Sequence, residues 1–170
     1  MPFITPIQDS LNISLTAEET IVNETVKLIA TITAQVTPDE PPEALPNRVR
    51  EMMNKVVDTS KFESKWHFSN MNRSKDDTGY ERVTLTASAR VPESENYNLD
   101  DRAEKASQRG LVINDIQADT STPAYLIEAT VSKLRVQIAE KAKKECDALS
   151  VALGRHYRIH SINFNGADYG

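Results

Sequence analysis

The sequence predicts an α+β fold: a mainly antiparallel sheet of about six strands with three helices, in ββα-ββα-β-α-β order. Three observations carry this. Residues 22–36 and 82–91 alternate apolar and polar side chains with a period of two, as half-buried strands do. Three other stretches carry apolar residues at helical spacing, the longest over 123–153. Turn and capping residues separate these segments, and strands and helices mixed in this way pack as a sheet with helices on one face.

Taken in order, Leu11, Ile13 and Leu15 alternate with Asn12 and Ser14, giving a first strand that a turn at 17–20 joins to the next. In that next strand Val22, Val26, Leu28, Ala30, Ile32, Ala34 and Val36 share one parity. Residues 37–46 (TPDEPPEALP) read as an extended acidic surface loop, because proline disfavours helix in the residue before it. Pro46 stands where its missing N–H costs nothing at a helix start. Val49, Met52, Met53, Val56 and Val57 then form one helical face that Asp58-Thr59-Ser60 ends. Phe62, Trp66 and Phe68 predict a strand, residues 72–79 (NRSKDDTG) a polar hairpin loop, and Val83 to Val91 the returning strand, stopped by Pro92.

Asn98 is placed to cap a helix over 99–109, with Asp100 and Asp101 in its first turn and Gly110 as its stop. Residues 111–116 predict a short strand. In the long helix, Ile127, Val131, Leu134, Ile138, Ala142, Cys146, Leu149 and Leu153 recur at three and four, a stripe expected to pack on the sheet. Gly154 closes it, and residues 157–164 predict a closing strand. The whole reads as a single domain over 1–170, its core about 9–165.

Composition bounds the chemistry. A net charge of −5 argues against a general nucleic-acid binder. A single cysteine excludes a disulfide framework. No apolar run approaches the length of a membrane span. The opening MPFITPIQDS lacks a basic, then apolar, leader pattern, which favours a cytoplasmic or virion-associated protein, with the periplasm open only if a signal peptide is missing. His156 and His160 flank a predicted strand, where a spacing of four separates them by about 13 Å, too far to share a metal. Cys146 lies on the helical stripe and reads as a buried, inert thiol. Asp76-Asp77 and Asp100-Asp101 read as a turn and a helix first turn. The glycines Gly79, Gly110, Gly154, Gly166 and Gly170 are isolated, so no phosphate loop is present. No catalytic residue, cofactor or metal site is expected.

Charge is uneven. Residues 123–160 hold seven Lys or Arg against four acids, and the rest of the chain is strongly acidic. A solvated helix face accounts for Lys141, Lys143 and Lys144, and complementary charge between subunits is a further reading.

Residues 139–162, AEKAKKECDALSVALGRHYRIHSI, resemble the terminal motif of the SIMPL domain family, in which an Ala/Lys-rich helix reaches Leu-Gly and a strand with Ile-x-x-Ile follows. Leu111 to Ile116 after Gly110 is similar to another strand of that family, which includes immunogenic periplasmic proteins. The resemblance spans roughly 9–165. It implies a non-enzymatic domain, with some members of the family forming rings. Together with the missing active-site constellation and long strands that present pairing edges, it leads to the expectation of a self-associating protein, a ring or part of a larger particle such as a phage virion, with itself or other proteins of that particle as partners. A monomeric binding module for a peptide or small ligand, using Trp66, Phe68 and Tyr80, is the alternative. Contacts are expected at Thr37, Pro38, Pro41 and Pro42 in the acidic loop, at Arg73, Asp76 and Asp77 near the hairpin tip, at Lys141 and Lys144 on the long helix, and at the ends, including Tyr169.

Overall fold

The computed structural model describes residues 9–166, which divide into two compact units: residues 23–121, and the segments 9–22 and 122–166. The first unit runs β1 (Thr25–Val36), α1 (Ala44–Val56), β2 (His67–Lys75), β3 (Glu81–Pro92), α2 (Leu99–Ala106) and β4 (Leu111–Asp119). Its strands form one antiparallel sheet in the order β2-β3-β1-β4. Two split β-α-β halves interleaved in this way are the ferredoxin-like topology.

The core follows from parity. On β1, Val26, Leu28, Ala30, Ile32, Ala34 and Val36 are buried, and across the ladder Val83, Leu85, Ala87, Ala89 and Val91 of β3 join them. Leu45, Val49, Met52, Met53 and Val56 of α1 pack in the same cluster, as do Ala103 and Ala106 of α2. Alanines alternating with larger residues on the strands make room for the helix side chains, which is how facing layers interdigitate. The opposite sheet face is hydrophilic, with Thr31, Thr33, Thr84 and Thr86 paired across β1 and β3.

Several boundaries differ from expectation. The α+β class holds, but among the described residues the sheet has four strands, not about six, and the order is β-α-β-β-α-β-α. Residues 11–15 and 157–164 are not strands. A strand needs a neighbour for its N–H and C=O groups, and the partner expected for 11–15 is already flanked by β3 and β4. Strand β2 starts at His67 and continues through the polar Asn72 to Lys75, because β3 supplies the ladder there; the turn shrinks to the residues around Asp76 and Gly79. Gly79 takes φ +84°, as a tight hairpin tip requires. Helix α2 ends at Ala106, three residues early, since Ser107 is extended. Asn98 precedes it with φ 45° and makes no capping bond.

The second unit holds α3 (Ala124–Leu153), closed by Gly154 at φ 62°. None of its residues is buried, so the expectation of a fully buried helix face is corrected. Cys146 is half-buried rather than buried.

Candidate interaction surfaces

Two surfaces stand out, one in each unit. In the sheet unit, the acidic loop and the hairpin tip meet at one end of the sheet. Thr37, Pro38, Pro41, Pro42 and Arg73 line a cleft of about 290 Å³ there, together with Lys75. Two ion pairs frame it: Arg48 Nη1 donates to Glu40 at 2.6 Å, and Arg73 Nη1 to Glu81 at 3.3 Å. Asp76 and Asp77 stand at the exposed tip beside it. The Asp76 carboxylate accepts bonds from the Thr78 hydroxyl at 2.6 Å, the Thr78 N–H at 3.1 Å and the Tyr80 N–H at 3.0 Å. These donors, the Thr78 hydroxyl foremost, hold its pKa below the ordinary 3.8. Asp58 and Asp119 are lowered likewise, chiefly by the hydroxyls of Ser60 and Ser121.

At the other end of the same sheet lies an open groove of about 1340 Å³, lined by Lys27, Arg50, Lys65 and Arg90 with the single carboxylate Glu63. Sequence reasoning missed it. Lys27 and Arg90 are brought opposite each other only by the β1–β3 register, and Arg50 comes from α1. Trp66 does not present its ring to a ligand: it is 2% exposed, and its Nε1 donates to the Val57 carbonyl at 3.2 Å. Phe68 is partly buried against the core with Arg50 over its ring, while Tyr80 is exposed.

In the second unit, both end segments lie along α3. Going up the chain from residue 9, Asp9 pairs with Arg155, the Thr16 carbonyl accepts from Lys141 at 3.3 Å, and Glu19 pairs with Lys133 at 2.6 Å. Seven extended residues span about the same length as fourteen helical ones, so the segment runs antiparallel to the helix. The last segment also runs back along it, with the Tyr157 N–H on Ser150 Oγ at 3.0 Å and Phe164 under Arg135. Leu11, Ile13, Ile159, Ile162 and Phe164 remain exposed, as do Tyr125, Val136, Val151 and Leu153 of the helix. Lys141 and Lys144 are exposed on α3. Tyr169, like residues 1–7 and the rest of 167–170, lies outside the described residues, while Asn165 and Gly166 are exposed.

Long strands were expected to offer pairing edges, yet β1 and β3 are the central strands. The edges belong to β2 and β4, each interrupted by a bulge, where Asn70 takes φ 53° in β2. Bulged edges resist pairing with another sheet.

Among the described residues, no group of three or more His, Cys, Asp or Glu is placed to hold a metal ion, and no helix is long and apolar enough to cross a membrane.

Comparison with known proteins adds little. No family model matches the chain. An uncharacterized protein of Coxiella burnetii is 22% identical over 160 residues, covering 94% of this chain and 68% of that one. Among solved structures, the full extracellular region of zebrafish Gpr126/Adgrg6 aligns with 58% of this chain and 14% of its own, at 12% identity and a TM-score of 0.41. The de novo designed protein Ferredog-Diesel aligns over its whole length with 66% of this chain, at 13% identity and a TM-score of 0.26. Neither score is high enough to establish a shared fold, so the topology rests on the strand order.

Proposed function

We propose that this chain is a non-enzymatic, self-associating structural or interaction protein of SIMPL-like type, forming a ring or part of a larger assembly such as a phage virion. The observation that carries this is α3: a helix of 30 residues with a continuous apolar stripe and no buried residue. Helical stability in proteins comes mostly from packing an amphipathic face, and an exposed apolar surface of this extent marks an interaction site. The stripe is half-covered by the two end segments, which themselves expose Leu11, Ile13, Ile159, Ile162 and Phe164. A second copy offering the same surface buries both.

Light scattering across a dilution series tests the proposal. A discrete mass many times that of the monomer supports it. A monomer that persists at tens of micromolar overturns it and favours the second reading, a monomeric module that binds a peptide or small ligand. The basic groove of the sheet unit supports that second reading, and a ligand-dependent rise in melting temperature is its signature.

A further inference from the structure

The basic groove exists because strand β2 is short. It starts at His67 opposite Ser88, whereas β3 runs on to Pro92. Residues 89–92 of β3 therefore pair with β1 alone. The Glu93 N–H donates to the Glu24 carbonyl at 2.9 Å, and backbone groups alternate sides along an antiparallel strand. Both polar groups of Arg90 thus point away from β1, into the space where β2 would have continued. Among the described residues neither has a backbone partner. Around this gap stand Lys27, Arg50, Lys65 and Arg90, none of them ion-paired among the described residues, against Glu63. Outside the groove lining, Asp119 of β4 lies opposite Lys27, and at the same end Glu24 precedes β1 and Glu93 follows β3. A concentration of cations in a chain of net charge −5 calls for an anionic partner.

The opposite end of the same sheet supplies one. From Lys27 to Val36, nine residues of β1 span about 30 Å. At that far end Asp39, Glu43, Asp76 and Asp77 are exposed, with Lys75, Arg82 and Arg109 as cations that form no ion pair among the described residues. Glu40 and Glu81 are already neutralised by Arg48 and Arg73. The end therefore keeps a surplus of carboxylates on protruding loops, and the groove a surplus of cations in a concave wall.

We propose that the groove receives the acidic end of a second copy of this chain, joining sheet units head to tail. The inference rests on the self-association reading and gives it a direction. A contact between two different surfaces of one chain is heterologous, and repeated it closes into a ring or continues as a filament.

The test uses two charge reversals in the full chain, both at exposed side chains: Arg50→Glu with Lys65→Glu in the groove, and Asp39→Lys with Asp77→Lys at the far end. Association is followed by light scattering, with circular dichroism confirming the fold. If either pair unfolds the protein, Lys65→Glu or Asp77→Lys alone replaces it. The wild type is expected to associate more weakly as salt rises, and each variant alone to associate about tenfold or more less tightly. Mixed one to one, the variants are expected to reassemble, because each acidic surface then meets a basic one. If the wild type associates but the reversals change nothing, or the mixture fails to recover, the head-to-tail contact is wrong and self-association stands. If the wild type is monomeric under all conditions, self-association falls, and this inference with it.

Discussion

Replacing Ile32 and Ile138 separately by alanine distinguishes a side chain that holds the monomer together from one that waits for a partner. Ile32 lies in the central strand β1 and is 0% exposed. Its truncation removes three carbon atoms, about 2.4 kcal/mol of transfer energy. The cavity left between sheet and helices raises the loss to about 3.5 kcal/mol. For a unit of this size that corresponds to a fall in Tm of about 15 °C. Ile138 sits on the α3 stripe and is only half-buried. The same truncation forfeits about 1 kcal/mol there, partly offset by the better helix propensity of alanine. Urea unfolding and thermal melts of both variants, at concentrations where the protein is monomeric, measure the two losses; light scattering at higher concentration measures assembly. The expected pattern is a large stability loss for Ile32→Ala, and for Ile138→Ala a small one with weakened association. Equal losses for the two variants would refute the argument, since α3 would then be core rather than contact surface.

Two further outcomes follow from single side chains. Trp66→Phe removes the indole N–H from the Val57 carbonyl and leaves that acceptor and a void behind, so a loss of about 2 kcal/mol or more is expected in urea titrations followed by circular dichroism; an unchanged midpoint would deny that bond any weight. Asp76 has a folded pKa below the ordinary 3.8, so its contribution is complete above the unfolded value and is lost as pH falls through the folded one. Asp76→Asn is therefore expected to be less stable than wild type at neutral pH and to lose less stability between about pH 5 and pH 2; parallel curves for the two proteins would remove Asp76 from the acid response.

Much of the first unit was readable from the chain. The period-two patterns of β1 and β3 are visible because one face of each is buried against helices, and the stripe of α1 is the complement of that face. The expected contact residues fared unevenly. The proline loop and Arg73 do meet at one cleft, since both lie where β1 ends and the β2–β3 hairpin turns. The cations Lys27, Arg50, Lys65 and Arg90 come from three elements and a loop far apart in sequence, and no local pattern joins them. Strand β2 was misplaced because its exposed residues carry no alternation, and its pairing with β3 alone makes it a strand.

The sequence by itself determined which conformations its segments favour: the alternation of β1 and β3, the helical faces of α1 and α3, and the glycine stop at Gly154. Only the tertiary structure decided which strands became neighbours. Residues 11–15 alternate as a strand should, and 157–164 are rich in strand-forming residues, yet neither forms a ladder, whereas the polar Asn72 to Lys75 do. The reason is physical: a helix satisfies its hydrogen bonds within its own segment, while a strand exists only through a partner that the chain must bring from elsewhere.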